Sequence, residues 1–289
     1  MKPAPFDYQA PETVEACVEV LAEFGDEAKV LAGGQSLMPM LALRLARPEH
    51  LVDVNRIGGL DTVRRDDSVL VVGATTRHVS LERDPEIGAA VPLLRLVARH
   101  IGHFQIRNRG TVGGSLAHGD PAAELPAVAR VLDAEFEVTG TRGTRWIAAR
   151  DFFETVFTTA LEPDELLVSI RFPVWGPGAG FAVQEVSRRH GDFALVGAMV
   201  AVELASGRIE RVAIGLTGMG SVPERAEAVE ASLVGADVAG LDLDDVGAQA
   251  VRDLEPSDDV HATARYRKRV GAALVSRALT NAIQEAAHA

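Results

Sequence analysis

The chain has 289 residues, 47% hydrophobic and 24% charged, with a single cysteine and a formal net charge of −12. That length accommodates two domains of ordinary size, and the acidity argues against nucleic-acid binding through phosphate neutralisation. One thiol, Cys17, can build neither an internal disulfide nor, by itself, a cysteine-ligated iron–sulfur cluster or zinc site.

Taken in chain order, residues near 12–24 read as an amphipathic helix. Val14, Cys17, Val18 and Leu21 share one face, so Cys17 is expected to be a small core residue. Ala28–Ala32 reads as a short apolar strand running into Gly33-Gly34, followed by a helical run from Leu37 that Ser36 could cap. A strand at Leu51–Val54 and a turn at Gly58-Gly59 complete a compact βαβ-like unit. The strand at Ser68–Gly73 is stopped by glycine, and Thr75 or Thr76 could cap a short helix behind it. A longer helix covers Pro92 to His100. After the polar stretch Gly102–Arg109 comes a second glycine pair, then a helix expected to begin at Asp120-Pro121. Strands near 134–139 and 166–172 finish this part.

Two prolines and three glycines between 173 and 180 mark the expected domain boundary. Beyond it, strands at 181–187, 194–205 and 209–217 precede helices at 223–234, 242–253 and 262–287. This is an α+β pattern: a three-stranded antiparallel sheet covered by helices. The basic run Arg265–Arg269 reads as a solvated helix face or a subunit contact. No apolar stretch reaches the roughly 18 residues of a spanning helix. Residues 1–6 lack the apolar run of a signal peptide, so a cytoplasmic location is expected.

The glycine pairs carry the chemistry. Consecutive glycines let backbone N–H groups approach an anion closely and turn with positive φ, forming a nest suited to a pyrophosphate. Gly33-Gly34-Gln35-Ser36 and Thr111-Val112-Gly113-Gly114-Ser115 both fit, with hydroxyls alongside. Neither is a Rossmann or P-loop fingerprint. On residues alone each pair is either a plain turn or a phosphate loop, and a nucleotide-sugar or other phosphate-ligand protein remains an open reading.

Three motifs together say more. Val30 to Pro39 contains the first pair. Ile106 to His118, continuing through Asp120-Pro121-Ala122-Ala123-Glu124, contains the second. Ser187-Arg188-Arg189-His190-Gly191-Asp192-Phe193-Ala194-Leu195-Val196 is the third. In this order they resemble the medium flavoprotein subunits of aerobic carbon monoxide dehydrogenase and the related xanthine dehydrogenase family, over essentially the whole chain.

The resemblance implies a two-part FAD domain of the vanillyl-alcohol-oxidase (PCMH) type at 1–175, with subparts about 1–57 and 58–175. A smaller C-terminal flavoprotein domain would occupy 179–289. It implies non-covalent FAD on Ala32, Gly33, Gly34, Gln35 and Ser36, with Val30, Leu31 and Leu37 nearby, and on Thr111, Val112, Gly113, Gly114 and Ser115. Ile101 and Val168 match apolar flavin contacts. Glu124 matches an aspartate that contacts FAD, and Gln184 stands where some relatives place a lysine.

Phe193 either covers the isoalloxazine or is a core phenylalanine at a strand start. His118 is read as a polar loop residue rather than a covalent flavin attachment, and Asp120 as a helix cap first and a flavin contact second. The implied partners are a small subunit with two [2Fe–2S] clusters and a large molybdenum-cofactor subunit, as a dimer of heterotrimers. Electrons would pass through FAD to quinone, NAD or oxygen. No acid, base or nucleophile is required of this chain. The alternatives are a self-sufficient flavin oxidoreductase and a scaffold that has lost its cofactor.

Overall fold

The computed structural model describes residues 2–288; Met1 and Ala289, the outer ends of the two expected domains, lie outside them. The first unit is a three-stranded parallel sheet in the order Asp7–Gln9, His50–Asp53, Ala28–Leu31. Its helix, Val14–Phe24, starts at Thr13, whose hydroxyl accepts from the Ala16 N–H. It buries the expected face of Cys17, Val18 and Leu21, each such aliphatic side chain contributing about 1.5–3 kcal/mol. Cys17 is fully buried, and that burial pushes its thiol up to about 11. It is an inert core residue.

The second unit is a five-stranded antiparallel sheet, in the order Val63–Asp66, Val69–Gly73, Leu166–Pro173, Glu135–Gly140, Gly143–Ala148. Short helices connect its strands: His78–Arg83, Pro85–Ala90, Pro92–Ala98, Phe104–Arg107, Val112–His118 and Glu124–Val131. Two expected caps fail. Neither Thr75 nor Thr76 caps a helix; both are buried, and the next helix begins at His78 behind Arg77. Asp120 does not open the helix after it either. Its carboxylate accepts from the Ala122 N–H (2.8 Å), holding a turn, and the helix begins at Glu124.

The third unit has three long antiparallel strands, Ala179–Ser187, Ala194–Ala205 and Arg208–Thr217. The expectation of a three-stranded sheet is one strand short, because Glu224–Arg225 adds a two-residue fourth on Arg208–Thr217. Helices Glu227–Leu233, Leu243–Ala250 and Ala264–His288 accompany it.

Both faces of this sheet are covered, which explains the almost unbroken apolar run from Ala194 to Val202. Ala198, Val200 and Val202 point into a core shared with Leu274, Val275 and Leu279 of the last helix. The alternate residues Met199 and Ala201 join the core of the second unit, with Phe136, Phe172 and Leu94. The glycine- and proline-rich connection is pinned to that same core: Trp175 is buried there and carries the Arg211 guanidinium 4.0 Å from its ring centroid. Within the basic run, Arg267 is buried rather than solvated. It donates to the carbonyls of Leu195 and Gly218 and to Asp259 (2.6 Å).

Candidate functional site

The first glycine pair leaves the strand Ala28–Leu31 at Ala32. Gly34 turns with φ +72°, a conformation that excludes most side chains. Among the described residues, the N–H groups of Gly33, Gly34, Gln35 and Ser36 find no acceptor. The Gln35 side chain folds back to donate to the Gly33 carbonyl (3.1 Å). Ser36 makes no capping bond to the helix Leu37–Ala42, so its hydroxyl is not committed there. Gly33 is buried, Gly34 and Ser36 are half-buried and Gln35 is exposed, so these four consecutive N–H groups are open to an acceptor from outside the chain, an anion or water.

The second pair behaves differently from the expectation. Thr111 caps the helix Val112–His118, its hydroxyl accepting from Gly114 (3.2 Å), and Gly113 and Gly114 form the first helical turn without positive φ. The N–H groups of Val112 and Gly113 go to the carbonyls of Thr76 and Ala74, and that of Ser115 to Thr111. This segment is not a nest. Its glycines permit close packing instead: a Cβ on Gly113 would lie 2.5 Å from the Ala74 Cβ, and one on Gly114 2.5 Å from the Thr111 hydroxyl and 3.6 Å from the Ala32 Cβ.

The two segments touch. A Cβ on Gly33 would lie 2.5 Å from the Arg109 carbonyl oxygen and 2.7 Å from the Gly110 Cα. A third piece of chain ties them together, and sequence reasoning missed it. Arg77 donates to the Arg109 carbonyl and to the Asn55 amide oxygen (2.6 Å), and Asn55 donates to the Ala32 carbonyl (2.8 Å). Beside it His78 is fully buried. Its Nε2 lies 2.9 Å from the Thr111 carbonyl, and burial pushes its pKa down to about 4, so the ring is neutral and donates there. None of these residues sits in a glycine motif. The one visible signal was polar residues flanking turns.

The remaining expected residues are spread over several parts of the fold. Val30, Ala32 and Val168 pack on the small core around Leu166, and the Leu31 side chain lies beside Gly34. Ile101 is buried in the main core, and the Arg107 guanidinium fixes the backbone there by donating to the carbonyls of Ile101 and Gly102. Glu124 is buried in the first turn of its helix, and burial, with the Asp120 charge adding to it, raises its pKa to about 7. Gln184 is half-buried, paired across the sheet with Ala198.

Its neighbour Glu185 is raised to about 8 by burial and by Glu124. The Glu185 carboxylate is 3.8 Å from His100 Nδ1, too far for a hydrogen bond, and burial lowers the His100 pKa. We read that pair as neutral. Phe193 is 59% exposed, which removes the core-phenylalanine reading. His118 is half-buried and stacks on Phe157 with ring centroids 4.8 Å apart. The third motif docks on the stretch leading into the second: His190 faces His103 at 6.0 Å, and a Cβ on Gly191 would lie 2.6 Å from the His103 ring.

Comparison with known proteins gives the family. Residues 4–175 match the family described as the FAD binding domain in molybdopterin dehydrogenase, and residues 181–282 the CO dehydrogenase flavoprotein C-terminal domain. The chain is 41% identical to the 6-hydroxypseudooxynicotine dehydrogenase complex subunit alpha of Paenarthrobacter nicotinovorans, covering 99% of this chain and 97% of that one. It is 38% identical to the carbon monoxide dehydrogenase medium chain of Afipia carboxidovorans, covering 98% of each. Its fold superposes on a chain of carbon monoxide dehydrogenase from Hydrogenophaga pseudoflava with a TM-score of 0.96 at 38% identity, over 99% of both. The chain therefore belongs to the family of FAD-binding medium subunits of molybdenum-containing dehydrogenases, an oxidoreductase family.

Proposed function

We propose that this chain is the electron-transfer subunit of a molybdenum hydroxylase complex, holding FAD non-covalently between the two glycine segments. The observation that carries the reading is the run of four N–H groups at Gly33–Ser36 without an acceptor, walled by the second segment at Arg109-Gly110. Bound there, FAD would supply the one- and two-electron chemistry that links a partner's [2Fe–2S] clusters to an external acceptor: quinone, NAD or oxygen.

The chain's own residues bind and orient. The N–H groups of Gly33, Gly34, Gln35 and Ser36 receive the diphosphate, and the hydroxyls of Thr111 and Ser115 close on it across Val112, Gly113 and Gly114. Val30, Leu31, Ala32, Leu37 and Val168 supply apolar surface alongside. Ile101, Gln184, Phe193 and Glu124 are assigned to the flavin end. With its pKa at about 7, Glu124 offers a carboxylic O–H as a donor near neutrality. Residues 1–175 form the FAD domain, of the vanillyl-alcohol-oxidase type, with subparts about 1–57 and 58–175; residues 179–289 form the smaller flavoprotein domain.

The partners are a small iron–sulfur subunit and a large molybdenum subunit, in a dimer of heterotrimers in the cytoplasm. No helix among the described residues is long and apolar enough to cross a membrane. Two relatives matched nearly end to end are named for carbon monoxide and for 6-hydroxypseudooxynicotine, very different in size. That contrast supports a substrate site outside this chain. The test is direct: the purified full chain should show flavin absorbance and release FAD on denaturation, and should co-purify with molybdenum and iron–sulfur partners. A chain that takes up no FAD would overturn the proposal.

A further inference from the structure

We infer that Arg77 and Asn55 form a positioning clamp that fixes how closely the two glycine segments approach and aims the N–H groups of the first. The inference rests on reading the N–H run at the junction of these segments as the FAD diphosphate site. Neither residue belongs to the glycine motifs, and both come from chain lying between them.

The geometry is a single relay of hydrogen bonds. The Arg77 guanidinium donates to the carbonyl of Arg109, the residue before Gly110, and to Asn55 Oδ1 (2.6 Å). Asn55 Nδ2 donates to the carbonyl of Ala32, the residue before Gly33 (2.8 Å). Asn55 is itself fixed by Asp53, which accepts from its backbone N–H (2.9 Å) and from its Nδ2 (2.6 Å). The backbone of Arg77 also bridges to Thr111 as an isolated antiparallel pair. Two linked side chains thus reach the backbone at the threshold of both segments, Arg77 at Arg109 and Asn55 at Ala32. Burial and the neighbouring Arg109 charge work against the Arg77 guanidinium, and the carboxylates of Asp53 and Asp61 offset them only in part.

Peptide planarity turns these bonds into an aiming device. In a trans peptide the C=O and the next N–H point in opposite directions. Fixing the Ala32 carbonyl on Asn55 therefore turns the Gly33 N–H away from the clamp, and that N–H begins the run without acceptors. Fixing the Arg109 carbonyl holds in place the very atom that a Cβ on Gly33 would strike. One arm sets the direction of the donors and the other sets the wall facing them. Arginine suits this task because its planar fork serves two acceptors at once, which a lysine ammonium does with less geometric control.

The test uses the full chain stripped of flavin, titrated with FAD and separately with ADP, which carries the diphosphate without the flavin. Wild type, Arg77→Met, Asn55→Ala, the double variant and Arg77→Lys are compared, each at a temperature where its ligand-free melting curve shows it folded. The expected result is a loss of about tenfold or more in each single variant, by analogy with the loss of supporting hydrogen bonds behind metal ligands. The loss should be equal for FAD and ADP. The double variant should bind no worse than the weaker single, because the bonds are in series, and Arg77→Lys should recover part of the affinity.

Unchanged affinity in folded variants would overturn the clamp, as would additive losses or a loss confined to FAD. Should Arg77→Met not fold, Asn55→Ala alone decides, since it cuts the relay at its other end. A wild-type chain that binds neither FAD nor ADP would overturn the cofactor reading itself, an outcome distinct from failure of the clamp.

Discussion

Gly33→Ala adds one methyl group at the tightest point of the proposed cofactor cleft. Its Cβ would sit 2.5 Å from the Arg109 carbonyl oxygen and 2.7 Å from the Gly110 Cα. Ordinary contact begins near 3.4 Å, so the segments must part by about 0.9 Å (3.4 less 2.5) for the methyl group to fit. Both obstacles are backbone atoms, and Arg77 holds the Arg109 carbonyl, so no rotamer change relieves the clash. Overpacking of this kind costs about 1–3 kcal/mol. If the segments separate, the N–H groups of Gly33–Ser36 lose their spacing to Arg109 and Gly110, and the cost is read in cofactor affinity as a roughly 5- to 150-fold rise in the FAD dissociation constant. If the segments resist, the same cost is read in stability. The assay is therefore paired: FAD titration and denaturant unfolding of the flavin-free chain. Gly240→Ala is the control, since a Cβ there meets nothing within 4 Å. Gly33→Ala with both affinity and stability at wild-type values would refute the reasoning.

The same geometry yields three further outcomes. Glu185, whose pKa burial raises to about 8, should be protonated in the folded chain at neutral pH; because this folded value lies above the ordinary 4.5, its contribution to stability is full below about pH 4.5 and is lost as pH rises towards 8. Glu185→Gln should flatten that decline and leave the variant more stable than wild type at about pH 9, and a pH–stability curve of unchanged shape would count against a buried neutral carboxyl. Phe193→Ala removes an aromatic ring that is 59% exposed and so should leave stability within about 0.5 kcal/mol of wild type. Flavin affinity and absorbance should change if the ring covers the isoalloxazine, and wild-type values of both would sink that contact. Arg267→Met strips the half-buried carbonyls of Leu195 and Gly218 of their donor and should destabilise the chain by about 2 kcal/mol in urea unfolding; a loss under about 0.5 kcal/mol would mean that water replaces the guanidinium.

Much of the fold was legible because it rests on local period and punctuation. The face of Val14–Phe24 follows from helical spacing, and the long strands after residue 179 from length and β-branched content. What was missed has identifiable causes. Glu224–Arg225 has two residues and no period to read, and it exists only because Arg208–Thr217 offers an edge. Gly143–Ala148 exposes Thr144, Arg145 and Trp146 in succession, so it shows no alternation. Asp120-Pro121 carries a good helix-start signature, yet the carbonyls of Pro121 and Ala123 are taken by the Thr217 hydroxyl from the neighbouring sheet, and the helix starts later. Arg267 sits in a run of charges that looks solvated, and only the tertiary arrangement of the Leu195 and Gly218 carbonyls draws it inward.

The two glycine pairs mark the limit of reading a site from composition. They look equivalent as sequence, each a Gly-Gly next to hydroxyl residues, and each reads there as a nest. In the fold they solve opposite problems. Gly33-Gly34 leaves a strand, one of the pair at positive φ, and its N–H groups have no acceptors among the described residues. Gly113-Gly114 enters a helix, its N–H groups already satisfied by Ala74 and Thr111, and its missing side chains let the helix lie against Ala74 and Ala32. Only the first pair can supply backbone donors to an anion; the second supplies proximity. A glycine needed for its conformation and a glycine needed for its size are the same letter. What separates them is where the neighbouring hydrogen bonds go, and that depends on Asn55, Arg77 and the carbonyls of Thr76 and Ala74, which lie tens of residues away in sequence.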